Sequence, residues 1–341
     1  MRPGIPKEMF ENYKDVVNAG YMFHDMMLER TLSMVDDDTV VMIVSDHGFH
    51  SDHLRPNTHM TKPTADVMKV RTGSTKATTH DYQEKFKIND FELEFVSAGH
   101  VVGSAMIECN GLLYTGDYNP YGTVTSGRAE PQDCDILIVE STYGKPDQTL
   151  PDRNQVLEDL QAWISTTSSN GGGIIGAYSL GKAQEVIATA NLAGITPAVS
   201  NEVGSVSDVY KKYDVPLEYI RYEDLDDKEK PGLLVTSTSA TNGKKPDTAV
   251  QNLRKQGAKV ARVSGWCAFA KWAIRGVDAG FPISDHADFS DTMKFVEACD
   301  PKQVYTVHGS TKELAKQIEK KLGINARPLP KYGEVAIESF N

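Results

Sequence analysis

The chain has 341 residues, of which 40% are hydrophobic and 24% are charged, a composition typical of a globular protein that buries its own core. The formal net charge of −11 argues against a broad phosphate-binding surface, because nucleic-acid affinity depends largely on Lys and Arg. A local site built from metal ions and a few basic residues is still compatible with that charge.

Three further features narrow the class of protein. The four cysteines include no CxxC pair, which excludes a disulfide framework and a thiolate zinc site and favours a reducing compartment. The N-terminus has no apolar signal segment, and the longest apolar runs are too short to cross a membrane. We therefore expect a soluble, cytoplasmic protein with no membrane partner.

The first part of the chain predicts one long helix and several strands. Residues 7–35 carry apolar side chains at helical spacing, and a short β-branched strand over 39–45 follows. Residues 91–97 alternate apolar and acidic side chains, which predicts a half-buried strand. Asn110-Gly111 between two apolar runs predicts a β-hairpin, and 135–139 predicts a buried strand.

From about residue 150 the predicted elements alternate between helices and strands. In chain order they are helix 156–164, strand 173–177, helix 181–191, strand 233–236, helix 249–255, strand 258–264, helix 291–298, strand 303–307, helix 312–321 and strand 334–339. The alternation up to about residue 264 predicts a small α/β unit with a largely parallel sheet.

Histidine and acidic residues recur just past the ends of the predicted strands. They are His100, Asp117, Glu140, His286 and His308, with His50, Asp52 and His53 upstream. Each alone has a more ordinary interpretation, because a single histidine at a strand end is more often structural. Together they indicate a metal site, since strand ends are where a scaffold presents catalytic groups. A set of imidazoles and carboxylates without thiolate suits Zn, Mn or Fe.

The order of these motifs resembles the β-CASP branch of metallo-β-lactamase-fold nucleases. The matching motifs are His-Ser-Asp-His, Ala-Gly-His-Val-Val-Gly-Ser-Ala, Tyr-Thr-Gly-Asp, Glu-Ser-Thr-Tyr-Gly, Ser-Asp-His-Ala-Asp, Val-His-Gly and, in the cap domain of that branch, Gly-Ala-Tyr-Ser-Leu-Gly-Lys-Ala-Gln-Glu. The combination in this order is specific, whereas no single motif is. The resemblance implies an α/β fold, with an αββα sandwich formed by 58–147 and 280–341 and an inserted α/β cap domain over 148–279.

The resemblance also implies two divalent metal ions, with Zn favoured and Mn as the alternative. One ion would be held by His50, His100 and Asp117. The second would be held by Asp52, His53, His308 and the shared Asp117.

The remaining roles implied by the resemblance concern proton transfer and substrate binding. His286 would protonate the leaving oxygen and Glu140 would orient it, a role that suits a side chain whose pKa is near neutrality. Lys182 and Ser179, at the start of a predicted helix, would hold a substrate phosphate. A solvated lysine on a helix is an equal alternative for Lys182.

The N-terminal 57 residues depart from the family pattern. The family's first metal motif is His-x-His-x-Asp-His, and here its first position is Gly48, which would remove one ligand of the first metal. Residues 9–57 resemble part of an alkaline-phosphatase-superfamily phosphodiesterase, in which Asp46 and His47 would be metal ligands. We therefore expect the first strands of the fold to be replaced, as in a chimaeric gene joined near residue 57.

The sequence thus favours a metal-dependent nuclease that hydrolyses single-stranded RNA or DNA, with RNA favoured and a homodimer expected from the resemblance. One alternative is a catalytically impaired nucleic-acid-binding protein of the same fold, which the Gly48 departure favours. Another is an alkaline-phosphatase-type phosphodiesterase that acts on small substrates.

Overall fold

The computed structural model describes residues 58–73, 75–226, 230–242 and 247–329 of the chain. The helix predicted for 7–35 and the strands predicted for 39–45 and 334–339 lie outside the described residues. The same is true of Gly48 and of the predicted metal ligands His50, Asp52 and His53. What the sequence indicates for these segments, including the replaced strands, stays a prediction.

The described residues form strands and helices that alternate through most of the chain. The strands are β1 Thr58–Thr61, β2 Ala77–His80, β3 Lys85–Ile88, β4 Phe91–Ser97, β5 Ala105–Cys109, β6 Leu112–Tyr114, β7 Ile136–Ser141, β8 Gly173–Ala177, β9 Ala198–Val199, β10 Ile220–Arg221, β11 Leu233–Ser237, β12 Lys259–Val263, β13 Ala279–Phe281, β14 Gln303–Gly309 and β15 Asn325–Pro328. The helices are α1 Lys62–Thr72, α2 Arg153–Ser169, α3 Lys182–Leu192, α4 Asn201–Lys212, α5 Thr238–Thr241, α6 Thr248–Lys255, α7 Phe289–Cys299 and α8 Thr311–Leu322. Short 3₁₀ turns cover Tyr222–Asp224 and Gly265–Ala268.

A seven-stranded mixed sheet carries most of the predicted site residues. Its order is β15-β14-β7-β6-β5-β4-β3, with antiparallel pairing from β3 to β6 and parallel pairing from β6 to β15. Helices α7 and α8 cover it, since Phe295 and Leu314 share one apolar core with Leu137 and Val139 of β7. The burial of these side chains is the main force that holds the helices on the sheet.

The short parallel pair β1 and β2, joined by α1, packs against the other end of this sheet. The rings of His59 and His80 stack on Phe86 of β3, with centroid distances of 5.4 and 3.7 Å. The Thr61 side chain caps α1 by accepting from the Thr64 amide at 3.3 Å. Its hydroxyl donates to the Gly103 carbonyl at 2.7 Å and so ties this unit to the loop that follows His100.

A second sheet of six strands is parallel throughout, as the sequence predicts. Its order is β10-β9-β11-β8-β12-β13. Every residue of β8 is buried, which is the burial expected of a central strand in a parallel sheet covered on both faces. Side chains from α2, α3 and α4 complete this core. The sheet falls within 148–281, while the predicted domain boundaries themselves stay a prediction.

Several elements match their predictions closely, whereas others, including helices α1 and α4, were not predicted. Strand β4 covers the predicted 91–97, and the hairpin turn between β5 and β6 places Asn110 and Gly111 at φ +49° and +81°. Helix α4 was not predicted, although Val203, Val206 and Tyr210 recur at helical spacing and are buried. Among the described residues, no helix is long and apolar enough to cross a membrane.

Candidate active site

The predicted site residues lie at the carboxyl ends of strands. His100 follows β4, Asp117 follows β6, Glu140 lies near the end of β7 and His308 lies near the end of β14. Because these four strands run in the same direction, their carboxyl ends meet at one edge of the seven-stranded sheet. His286 reaches this edge from the other sheet, through the segment after β13.

The loops that carry His100 and Asp117 are joined by a backbone hydrogen bond. The Asn119 amide donates to the Ala98 carbonyl at 2.8 Å. Gly99 has φ +66°, and a Cβ added there would lie 2.5 Å from the Asn119 carbonyl oxygen. This close approach requires glycine just before His100.

His100 and Asp117 form the first pair of the site. The Nε2 atom of His100 lies 3.9 Å from Oδ2 of Asp117, a separation that leaves room for an ion between them. The other ring nitrogen, Nδ1, lies 2.9 Å from the backbone carbonyl of Asp285 and donates to it, because a carbonyl only accepts. This contact fixes the tautomer that presents an unprotonated Nε2 to Asp117, as backbone carbonyls commonly do for metal-ligating histidines.

The ring of His100 is electrically neutral at neutral pH. Burial, assisted by the nearby His286, lowers the pKa of His100 to about 4. A metal ligand has to be deprotonated, so His100 meets this requirement without displacing a proton.

His286 and Glu140 form the second pair of the site. Nδ1 of His286 lies 3.0 Å from Oε1 and 3.1 Å from Oε2 of Glu140. The carboxylate is buried, with 1% of the residue exposed, and it also accepts from the Tyr118 amide at 3.0 Å and from the Thr142 hydroxyl. These donors fix the Glu140 side chain, and Glu140 in turn fixes the imidazole of His286.

This pair shifts the two protonation equilibria in opposite directions. Burial alone would lower the pKa of His286, but the Glu140 carboxylate outweighs burial and raises it to about 9. Burial would raise the pKa of Glu140, but the His286 charge outweighs it and the pKa is lowered. The pair is therefore ionised at neutral pH, and His286 holds a proton that it can donate.

The ionised pair predicts a pH dependence of stability in the metal-free chain. Because the folded-state pKa of His286, about 9, exceeds its ordinary value of 6.5, the stabilising contribution is complete below pH 6.5 and is lost as the pH rises through about 9. The free energy of unfolding, measured with urea below pH 6.5, between pH 6.5 and about 9, and above about 9, should show this decline. A His286→Gln variant should lack it, and an equal decline in that variant would contradict the assignment.

The described residues include one group of side chains that could hold a metal ion. In this group, His100, Asp117 and His286 offer ligand atoms that all lie within 4.8 Å of one another. An imidazole nitrogen that carries no proton and a carboxylate fit a divalent ion, so the donor chemistry of His100 and Asp117 suits the metal implied by the motifs. Protonated His286 has no lone pair to offer and suits proton donation instead.

His308, the remaining predicted ligand within the described residues, is not in this group. It is exposed, and its backbone has φ +52°. The Ser141 hydroxyl donates to the carbonyls of Val307, at 2.8 Å, and of His308. The role of His308 as a metal ligand stays a prediction.

The predicted phosphate-binding residues both have carboxylate partners. Lys182 is buried and its Nζ lies 2.8 Å from Oδ2 of Asp285, with 6% and 3% of the two side chains exposed. The Ser179 hydroxyl donates to Glu202 at 2.8 Å. Lys182 is therefore not the solvated helix lysine of the alternative interpretation. A phosphate contact by either residue stays a prediction.

The segment that carries His286 is held by two cations from the helices of the parallel sheet. Lys182 of α3 pairs with the Asp285 side chain, and Arg153 of α2 donates to the Ser284 carbonyl at 2.8 Å. Arg153 also pairs with Glu185. Sequence reasoning assigned no role to Asp285 or Arg153, although Asp285 stands beside His286 in the motif Ser-Asp-His. Asp285 contacts Lys182 through its side chain and His100 through its backbone carbonyl.

A cleft of about 740 Å³ opens beside His286. Its lining combines Tyr121 and Arg128, from the loop after Asp117, with Arg153 of α2 and Asp291 of α7. Its size falls in the range of sites that bind small ligands or a segment of a longer one.

Comparison with known proteins shows similarity to metal-dependent hydrolases over part of the chain. A profile described as "Zn-dependent metallo-hydrolase RNA specificity domain" matches residues 280–328, which include His286 and His308. A protein named "Probable DNA ligase" from Opitutus terrae is 30% identical over 235 residues, which are 66% of this chain and 22% of that protein.

Two further relatives carry names of RNA-cleaving proteins. An RNase J-like protein of Methanocaldococcus jannaschii is 32% identical over 189 residues, which are 46% of this chain and 45% of the relative. Endoribonuclease YSH1 of Kluyveromyces lactis is 36% identical over 116 residues, or 32% of this chain and 15% of the relative. The matched part spans less than half the length of each relative. In its motif order and in these similarities, the chain resembles the β-CASP nucleases of the metallo-β-lactamase fold.

Proposed function

We propose that this chain is a metal-dependent hydrolase of phosphodiester bonds in single-stranded nucleic acid, with RNA favoured over DNA. The observation that carries the proposal is the ionised His286–Glu140 pair beside the metal-ligating pair His100 and Asp117. One pair suits proton donation and the other suits metal binding. Metal-assisted hydrolysis of a phosphodiester uses both functions.

The proposed ligands of two divalent ions, Zn with Mn as the alternative, are spread over several strand ends. They are His100, Asp117 and His308, with His50, Asp52 and His53 from outside the described residues. When bound, the metal supplies a deprotonated water as nucleophile and neutralises charge on the phosphate oxygens. The Asp285 carbonyl holds His100 in the required tautomer, and Asp117 adds negative charge that favours the cation.

His286 is proposed to donate the proton that the leaving oxygen needs. Its Nδ1 proton is engaged by Glu140, so the proton at Nε2 is the one available to substrate. Glu140 keeps the imidazole charged until transfer and holds its plane in place.

The substrate class is proposed from the cleft and from the relatives. A cleft of about 740 Å³ admits a single strand more readily than a duplex, and it has His286 in its wall. The matched profile is described as an RNA specificity domain, and two of the relatives are named as RNases, which supports RNA over DNA. A homodimeric assembly and a cytoplasmic location belong to the same proposal.

Metal removal tests the proposed function. The purified chain should cleave an end-labelled single-stranded RNA, and a DNA of the same sequence more slowly. Chelator should abolish both activities and Zn or Mn should restore them, because the nucleophile depends on the metal. Cleavage that persists in chelator would contradict the proposal. Absence of cleavage at full metal loading would favour the impaired nucleic-acid-binding protein.

A further inference from the structure

Next to the site, the segment after β12 carries a row of aromatic rings. This segment begins with the 3₁₀ turn Gly265–Ala268. We call the three rings of Trp266, Phe269 and Trp272 the aromatic strip. Trp266 and Phe269 are half-buried, while 64% of Trp272 is exposed to solvent. A single exposed apolar side chain is ordinary, whereas neighbouring exposed apolar side chains mark interaction sites.

Ring contacts connect this strip to the proton donor. The His286 ring meets the buried Tyr143 edge-on at a centroid distance of 6.2 Å. Tyr143 lies 5.1 Å from Trp266 and 5.6 Å from Phe269, and Trp266 lies 6.1 Å from Trp272. Each distance is within the usual range for interacting aromatic rings. The strip therefore leads from His286 outward to solvent.

The charges beside the strip favour a polyanion. Lys271 and Arg275 flank Trp272 in sequence and are exposed, and neither forms an ion pair with any of the residues that the structure describes. The chain as a whole carries −11, which weakens long-range attraction of phosphates. Affinity for a single strand then has to come from local cations and from stacking on aromatic rings, which is insensitive to sequence.

The fold places a further aromatic ring at the same sheet edge. Strands β8 and β12 are parallel neighbours, so Tyr178 after β8 and Trp266 after β12 both leave the carboxyl edge of the parallel sheet. Tyr178 is 51% exposed, and Nζ of Lys182 lies 5.1 Å from the centroid of its ring. Ligands of parallel α/β sheets bind at this edge.

We propose that Trp266, Phe269 and Trp272 form a binding site for the nucleobases of a single strand whose phosphodiester lies at His286. The bases stack on the rings, Trp272 receives the base farthest from the cut, and Lys271 and Arg275 contact the phosphates between them. This inference rests on the proposed function for the identity of the strand, but it concerns binding rather than the chemistry of the cut.

Equilibrium binding tests the strip without the reaction. A fluorescent single-stranded oligonucleotide and an abasic strand of equal length are titrated with a His286→Ala chain, with and without Trp272→Ala. Trp272→Ala should weaken binding of the normal oligonucleotide about 5- to 100-fold and leave the affinity for the abasic strand unchanged. Trp272→Phe should restore much of the affinity. The matched control is Leu192→Ala, since Leu192 is 71% exposed on α3 and is remote from the strip in sequence.

Kinetics separate this inference from the proposed function. With His286 intact, Trp272→Ala should raise KM for the oligonucleotide, leave kcat near wild type, and leave hydrolysis of a nucleotide nitrophenyl ester unchanged. If Trp272→Ala weakened binding of the normal and abasic strands equally, or weakened neither, the proposed role of the strip would be wrong. The same would hold if Trp272→Ala changed the oligomeric state and not strand binding. A wild-type chain that binds the oligonucleotide through Trp272 but does not cleave it would contradict the proposed function and support the strip as a binding site.

Discussion

Replacing His286 with alanine is expected to lower the rate of oligonucleotide cleavage by about 10²- to 10⁴-fold, the range for loss of a positioned general acid. The imidazole is charged because the Glu140 carboxylate raises its pKa to about 9, and its Nδ1 lies 3.0 Å from that carboxylate. Without it, the leaving oxygen must depart as an anion or take a proton from water. Single-turnover cleavage with saturating enzyme measures the loss directly.

Two variants control this experiment. Glu140→Gln keeps a hydrogen-bond acceptor beside the ring but removes the charge, so the rate should fall less than in His286→Ala. His59→Gln changes a histidine that pairs with His80 at 2.9 Å, away from the site, and should leave the rate unchanged. A His286→Ala chain that cleaves within a few-fold of wild type would contradict the proton-donor role.

Breaking the buried ion pair between Lys182 and Asp285 is expected to have the largest effect on stability. Asp285→Ala leaves the ammonium of Lys182 buried without its partner, which costs about 3–5 kcal/mol for a pair of this kind. Burial would raise the pKa of Asp285, but Lys182 outweighs it, so the carboxylate is charged. Urea unfolding of the metal-free chain measures the change.

An exposed ion pair of similar length is the matched control. Lys85 and Glu92 lie 2.9 Å apart on neighbouring strands, both exposed, so Glu92→Ala should change stability little. The double variant with Lys182→Met and Asp285→Leu should be less destabilised than Asp285→Ala, because neither charge is then left alone. Equally small losses of unfolding free energy for Asp285→Ala and Glu92→Ala would contradict the importance of the buried ion pair for stability.

The elements and site residues that the sequence predicted depend on short-range patterns. Strand β4 alternates in burial as its sequence alternates in polarity, and Asn110-Gly111 dictates a turn by its own backbone preferences. The His100, Asp117 and Glu140 positions follow because each stands just past or near the end of such a strand. Their mutual distances were implied only by the resemblance, since no local pattern sets them.

The sequence did not predict the contacts between distant parts of the chain. Lys182 and Asp285 are 103 residues apart, and a lysine in the first turn of a helix after Ser-Leu-Gly is equally typical of an anion-binding position. Arg153 and Ser284 are 131 residues apart. Helix α4 was missed because its many β-branched valines lower helix propensity, while packing of Val203 and Val206 into the core outweighs that preference.

The leaving-group dependence of His286→Ala tests the central claim most directly. Nitrophenolate departs without protonation, whereas the sugar oxygen of an oligonucleotide does not. If His286 is the proton donor at a metal centre held by His100 and Asp117, His286→Ala should hydrolyse a nucleotide nitrophenyl ester at nearly the wild-type rate and lose about 10²- to 10⁴-fold on the oligonucleotide. Equal losses on the two substrates would contradict the account.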